Sequence, residues 1–335
     1  MTQHPSRPDH PVAPSARAAP SRLSLAAYAE HTPPLMVGGE AISLLTFRQW
    51  MEKATAHHGS ATVGRPMPFV PRLDGPSVAA MQAALEGGVP LGLLHPRLAE
   101  GERGAAVDLL QTELPDGPGT IALVAFTSGS AGRPKGVCLS TEALLAAAHA
   151  HGAHLGWEVD DRWLLGLPLS HAGGFMVWIR CLLAGKTVVL QEGTSFDAGR
   201  VVRQMERDRV TLPSFVPPML ERVVAAGLRA PDRLRAVLLG GARATDDLVD
   251  RGRDLGWPLC RTYGATETCG QVATERPDDV ATGSPPFLPL LPGVHAETRD
   301  GVLALDGPML FSGYLGEGGG ARARPWISSD RGTVE

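Results

Sequence analysis

Between Ile121 and Tyr263, short continuous apolar runs alternate with longer stretches of helical spacing. A strand covered by helices on both faces needs an unbroken apolar run, and a helix must carry the chain back before a parallel neighbour can form. The alternation therefore points to βα units feeding a mostly parallel sheet. The expected fold class is α/β, with layered, mostly parallel sheets flanked by helices. Strands are expected at 121–126, 163–167, 187–190, 211–215, 236–239 and 259–263, with helices between them. Thr245, followed by Asp246 and Asp247, supplies a cap and negative charge for one helix start, and Pro217-Pro218 opens another that runs through Val224. Upstream, 79–85 and 92–94 read as a helix and a buried strand, so the layered fold is expected to span 35–335 with its binding core at 121–265. Beyond Tyr263, many Gly and Pro residues and short strands near 294–298 and 301–305 indicate a small β subdomain at 280–335. Residues 1–22, rich in Pro, Ser, Ala and Arg, are expected to form a disordered tail.

With 335 residues and 43% apolar content the chain can bury a substantial core. Its 31 basic and 35 acidic side chains leave a net charge of -4 without a basic stripe, which argues against nucleic acid or a membrane surface as partner. The apolar runs are too short and too polar at their flanks to cross a bilayer. Cys138, Cys181, Cys260 and Cys269 show neither zinc-site spacing nor a disulfide framework, and a reducing cytoplasm is the expected location.

Chemistry concentrates first at Thr127-Ser128-Gly129-Ser130-Ala131-Gly132-Arg133-Pro134-Lys135-Gly136. The segment follows an apolar strand and precedes a helix expected to begin near Ser140. Strand, glycine loop and helix make a phosphate-handling layout: glycines admit close backbone approach, hydroxyls and backbone N–H groups donate to phosphate oxygens, and Lys135 adds positive charge. It is not a Walker A loop, because Pro134 stands where the second glycine is required and Gly136 follows Lys135. It also fails the GxGxxG and GxSxG patterns. Taken alone, an ordinary glycine-rich turn remains the alternative. The ten-residue pattern nevertheless resembles the phosphate loop of the adenylate-forming ligase superfamily, with Ala131 in place of the usual second Thr.

That resemblance requires further motifs downstream in a fixed order, and they occur. Tyr263-Gly264-Ala265-Thr266-Glu267 is similar to the family's second signature. The resemblance implies an aromatic ring against adenine, a Thr hydroxyl at the α-phosphate and a Glu that helps hold Mg²⁺, an ion suited to hard oxygen ligands. Placement at the end of the strand expected at 259–263 fits ligand binding at the carboxyl ends of strands. Gly240, Gly241 and Ala242 resemble the loop bordering adenine, though a structural turn is an equal reading of two glycines. Asp330, in Trp326-Ile327-Ser328-Ser329-Asp330-Arg331-Gly332, resembles the family's ribose-binding Asp.

Leu167-Pro168-Leu169-Ser170-His171-Ala172-Gly173-Gly174 and the helix after it, with Trp178 and Arg180, most resemble the o-succinylbenzoate-CoA ligases of menaquinone synthesis. The resemblance implies that His171 lines the acyl pocket beside the reacting carboxylate and that Arg180 is available to a distal one, which a planar guanidinium can engage through two parallel N–H bonds. A solvated helix Arg and a structural His are the plainer alternatives. Phe215 and Ser284, in Pro213-Ser214-Phe215-Val216-Pro217 and Gly283-Ser284-Pro285, stand in matching order and are expected to frame the acid.

The implied function is activation of an aromatic carboxylic acid by ATP as acyl-AMP, followed by transfer to CoA. Thr127, Thr266, Glu267 and His171 are the expected catalytic residues, and Ser128, Gly129, Ser130, Gly132, Lys135 and Gly264 complete the nucleotide site. The chain ends five residues after Asp330, before the hinge and small C-terminal lobe that the family carries. The expectation is therefore a large lobe whose full activity requires a second lobe from elsewhere, with a homo-oligomer as a further option. Two other readings stay open: another aryl- or fatty-acyl ligase or adenylation domain, and a non-catalytic nucleotide-binding protein descended from a ligase.

Overall fold

The chain enters its first sheet as a hairpin, β1 (Leu35–Val37) and β2 (Glu40–Ile42), then lays down α1 (Leu44–His57), β3 (Met67–Phe69), α2 (Gly75–Glu86), β4 (Leu91–Leu93) and α3 (Glu100–Leu109). A second hairpin, β5 (Ile121–Ser128) and β6 (Pro134–Ser140), leads into α4 (Thr141–Leu155). Regular alternation follows: β7 (Arg162–Leu165), α5 (Ala172–Ala184), β8 (Thr187–Leu190), α6 (Ala198–Arg207), β9 (Leu212–Phe215), α7 (Pro217–Ala225), β10 (Val237–Leu239), α8 (Asp246–Asp254) and β11 (Leu259–Ala265). The chain closes with β12 (Gly270–Thr274), α9 (Pro277–Thr282), β13 (His295–Arg299), β14 (Val302–Asp306), β15 (Gly313–Tyr314) and β16 (Trp326–Arg331). The structure is a computed structural model and describes residues 22–57, 65–115, 119–128, 134–282, 287–317 and 324–334.

Eight strands form one sheet in the order β12-β11-β10-β9-β7-β8-β1-β2, parallel from β11 to β1 and antiparallel at both edges. A five-stranded sheet, β15-β6-β5-β4-β3, is parallel at the β5-β4-β3 side and antiparallel at the other. The antiparallel trio β13-β14-β16 makes a third sheet.

The continuous apolar runs have the physical cause expected of them, since alternate residues enter different cores. In β7, Trp163 and Leu165 join the main core, whereas Leu164 packs with α6, α7 and α8 residues such as Met205, Leu220 and Leu248. In β5, Leu123 and Ala125 face the main core, and Val124 faces Leu110 and Cys138. The main core between the two larger sheets is filled by α2, α4 and α5. Helix α5 is apolar on every side except for Arg180, and a helix of that kind stays in the protein only when it is surrounded. Its fully buried Phe175, Val177 and Trp178 meet that condition.

Thr245 caps α8 by accepting from the Leu248 amide at 3.3 Å, and Pro217 opens α7, as the sequence indicates. The glycine-loop layout is corrected: β6 intervenes, so strand, loop and strand replace strand, loop and helix. Pro134 and Gly136 disfavour a helix, while the apolar run Val137-Cys138-Leu139 pairs antiparallel with β5. The helix itself starts where the sequence indicates, at the far end of β6, where the Ser140 hydroxyl accepts from the Ala143 amide at 3.1 Å. No helix among the described residues is long and apolar enough to cross a membrane.

The connections decide where a ligand can enter. After β7 the chain passes through α5, on the main-core face, to β8; after β9 it passes through α7, on the opposite face, to β10. Since β7 and β9 are neighbours, their outgoing loops part from one another and leave a crevice at the carboxyl ends of the strands.

Candidate functional site

A cavity of about 590 Å³ occupies that crevice. Leu167, Pro168, His171, Gly173 and Gly174 line it from the loop after β7, Arg180 from α5, and Ser214, Phe215, Val216 and Met219 from the end of β9 and the start of α7. Gly240 and Gly241 come from the end of β10, and Thr262, Gly264, Ala265 and Thr266 from β11 and the turn after it. Residues from four parallel strand ends thus share one space. Glycine is obligatory at Gly264, where a Cβ would run into the Gly270 carbonyl oxygen; at Gly240 a Cβ would meet the Thr262 hydroxyl, which would have to turn aside.

At the deep end stands Arg180, with 4% of its surface exposed. Its guanidinium lies 5.7 Å from the centre of the Trp163 ring. Among the described residues it has no ion-pair partner, and its Nε has no hydrogen-bond partner. Burial pushes its pKa down to about 9, which leaves it charged at neutral pH. Gln271 also lines the cavity, and its Oε1 is buried without a partner among the described residues. His151, also against Trp163 at 5.4 Å between ring centres, is fully buried and has neither nitrogen paired among the described residues. Its burial, with the nearby charge of Arg180, holds its pKa well below the ordinary histidine value. A buried cation beside unpaired polar atoms is a costly arrangement unless an anion or water joins it.

His171 caps the cavity, exposed at its mouth, with its ring 5.1 Å from that of His95 on the chain after β4. Partial removal of water and the neighbouring His95 lower its pKa, so the neutral imidazole prevails at pH 7. The Arg97 amide donates to His95 Nδ1 at 3.1 Å, which places the proton of the neutral His95 ring on Nε2.

Past the Gly264–Thr266 edge, and outside the cavity lining, Tyr263, Glu267, Lys135, Tyr314 and Asp330 form a cluster of groups that satisfy one another. Tyr263 donates its hydroxyl to Asp330 Oδ2 at 2.8 Å, joining β11 to β16. Burial, then the Asp330 bond, pushes the Tyr263 phenol up to about 12 and keeps it a donor. Glu267, half-buried in the turn after β11, accepts from the Tyr314 hydroxyl at 2.9 Å through Oε1. Lys135 lies over the Tyr314 ring, 5.1 Å from its centre, and pairs in register with Thr127 across the β5–β6 hairpin. Four stretches, around Thr127, Thr266, Tyr314 and Asp330, therefore meet at one rim of the eight-stranded sheet. Ala242 is exposed beyond Gly241 and does not line the cavity. Ser128 is placed by its backbone on β5, opposite Pro134. Gly129, Ser130, Gly132 and Ser284 lie outside the described residues.

Sequence reasoning passed over His95, Gln271 and Tyr314. Gln271 was reachable, being four residues past Glu267 in a motif already singled out. His95 and Tyr314 carry no spacing signal, because each meets its partner through sheet assembly.

Residues 72–315 match the AMP-binding enzyme family. Among curated proteins, the 2-succinylbenzoate–CoA ligase of Bacillus licheniformis is 35% identical over 209 residues, covering 58% of this chain and 42% of that protein. The ligase of that name from Listeria monocytogenes is 32% identical over 231 residues, covering 68% of this chain and 48% of that protein. The chain thus spans less than half the length of these relatives. Among solved structures, wild-type E. coli MenE with a bound analogue of OSB-AMS superposes with a TM-score of 0.77 at 21% identity, covering 91% of this chain and 73% of that one. The Bacillus subtilis o-succinylbenzoate CoA synthetase in complex with the acyl-adenylate OSB-AMP superposes at 0.73 and 24% identity, covering 84% and 68%. These structural likenesses establish a shared fold.

Proposed function

The chain belongs to the AMP-binding enzyme family, and on that premise we propose that its cavity activates an aromatic acid carrying a second carboxylate, of the o-succinylbenzoate kind, as the acyl-adenylate. The observation that carries this reading is Arg180, a buried cation without an ion-pair partner among the described residues, facing the same cavity as Thr266. A dicarboxylic acid with its second carboxylate on Arg180 supplies the missing counter-charge and directs its other carboxylate towards the nucleotide end. The names of the curated relatives agree with that substrate class.

In the reaction, an oxygen of the free carboxylate forms a bond to the α-phosphorus of ATP, the bond to the bridging oxygen breaks, and pyrophosphate leaves with its electrons. No enzyme nucleophile takes part. Thr266 and the Thr127–Lys135 hairpin end donate to the phosphates, Tyr263, Gly240 and Gly241 border the base, and Asp330 accepts from the ribose. His171, neutral at pH 7, flanks the attacking carboxylate without drawing off its charge, and Phe215 and the Arg180 guanidinium fix the acid. Alignment of two anions and stabilisation of the charge gathering at phosphorus are the catalytic terms.

Glu267 fits Mg²⁺ carried in with ATP. Tyr314 engages one of its oxygens, and no cluster of three or more metal-ligating residues that could cage an ion by itself occurs among the described residues. An ion that keeps waters and binds one or two carboxylates together with phosphates matches such a donor. When bound, it neutralises phosphate charge.

Transfer of the acyl group to the thiol of CoA is proposed for the longer protein represented by the relatives. Four buried free thiols accord with a reducing cytoplasm. Titration calorimetry with non-hydrolysable acyl-adenosine mimics tests the reading. The mimic of an aromatic dicarboxylic acid is expected to bind at least about tenfold more tightly than that of benzoic acid. Equal affinity for the two removes the substrate assignment, and failure to bind either removes the adenylation reading as well.

A further inference from the structure

Tyr314 belongs to none of the motifs that carry the nucleotide site, yet it touches two of them. We propose that Tyr314 is a positioning residue for MgATP, holding Glu267 with its hydroxyl and Lys135 with its ring. The metal carboxylate and the phosphate-loop cation are thereby referred to one short strand.

The segment around Tyr314 is stitched to both sides of the site by its backbone. On one side, β15 pairs with β6, Tyr314 opposite Val137 and Gly313 opposite Cys138, and the Leu315 amide donates to the Gly136 carbonyl at 2.7 Å. On the other, the Phe311 amide donates to the Glu267 carbonyl at 2.8 Å. The side chain repeats the bridge. Its hydroxyl reaches Glu267 Oε1 at 2.9 Å, Lys135 Nζ lies 5.1 Å from the ring centre, and Phe311 packs against the ring edge-on at 4.9 Å between centres.

Each contact has a chemical consequence. A phenol donating to one carboxylate oxygen restricts the Glu267 rotamer and leaves the second oxygen to hold a metal, were one bound. A cation resting on an aromatic face keeps its charge and its N–H donors while losing freedom to wander. Both ends of a polyphosphate site are then held at a set separation before ATP arrives, which is the condition for alignment to accelerate attack at phosphorus.

The inference rests on the reading of Glu267 as the Mg²⁺ carboxylate. The test titrates the full chain with MgATP, and with ATP in EDTA, for wild type, Glu267→Gln, Tyr314→Phe, Tyr314→Leu and the Tyr314→Phe/Glu267→Gln pair. Tyr314→Phe keeps the ring and loses the hydroxyl, so MgATP should weaken on the order of tenfold with metal-free ATP unchanged. Tyr314→Leu should also weaken metal-free ATP, about threefold. On the Glu267→Gln background, Tyr314→Phe should add nothing. Wild-type affinity for MgATP in Tyr314→Phe, or equal losses on both Glu267 backgrounds, overturns the positioning role while leaving Glu267 in place. Normal MgATP binding by Glu267→Gln overturns the metal reading first. Should Tyr314→Leu unfold, Tyr314→Phe and the paired variant decide the matter.

Discussion

The cavity and the cluster beside it handle charge in opposite ways. At the proposed nucleotide end, Glu267, Asp330 and Lys135 are half-buried or exposed, and each already touches an aromatic residue of the protein: Tyr314, Tyr263 and Tyr314 again. At the acid end, Arg180 sits among Trp163, Cys181 and Cys269 with no counter-ion among the described residues. Groups that satisfy one another can be arranged before the ligand arrives, at little cost, because water remains nearby. A buried cation without a partner makes the fold less stable, and the ligand's charge recovers that energy on binding, so the acid end discriminates by charge more sharply than the nucleotide end.

Arg180→Leu tests this difference most severely. It is expected to weaken the dicarboxylic acyl-adenosine mimic about a hundredfold, since removing one partner of a buried charge pair costs about 2–5 kcal/mol, and to leave MgATP binding unchanged without lowering the thermal midpoint. A fall in stability with the mimic's affinity preserved would make Arg180 a structural cation and dissolve the contrast. Glu267→Gln should act at the other end only, weakening MgATP about thirtyfold while metal-free ATP and the mimic are spared.

The third test uses pH. His151 is held neutral in the fold by burial, with the charges of Arg180, His154 and Arg235 facing it, and in the unfolded chain it titrates near 6.5. Below that pH the unfolded chain binds the extra proton, so stability is fully present above about 6.5 and falls as the medium becomes more acid, by up to about 1.4 kcal/mol per pH unit. His95, His154 and His171, also lowered, add in the same direction. His151→Phe should flatten the acid limb of the thermal midpoint between pH 6.5 and about 5. An unchanged limb would show that His151 already finds a hydrogen-bonded partner beneath the cavity. The smallest effect is expected from Tyr263→Phe, which frees one Asp330 oxygen and removes a hydroxyl but keeps the ring. ATP affinity should change about threefold or less, and a larger loss would mean that the nucleotide end depends on this bond as strongly as the acid end depends on its charge.

Legibility in the sequence followed the range of the interaction. Strand β8 occupies 187–190 as expected, and the other apolar runs shift only at their ends, because burial on both faces is written into consecutive residues. The glycines at 240 and 264 also declare themselves locally, each lying at a strand end or bend, and at Gly264 a side chain has no room. The hairpin at the phosphate loop was less legible, since Val137-Cys138-Leu139 is short enough to suit a strand or the start of a helix, and only pairing with β5 decides between them. Tyr314 and Glu267 are 47 residues apart, and Tyr263 and Asp330 are 67 apart. Neither separation follows from a period.

By itself the sequence determined the α/β class, the order of the βα units, the strand ends at which the candidate motifs lie and the motifs shared with a ligase family, since apolar spacing and glycines act over a few residues. Only the tertiary structure decided that Arg180 is buried without a counter-ion among the described residues, that His95 reaches His171 and that Tyr314 joins Lys135 to Glu267. Those contacts depend on strand order and register, which many distant pairings settle together.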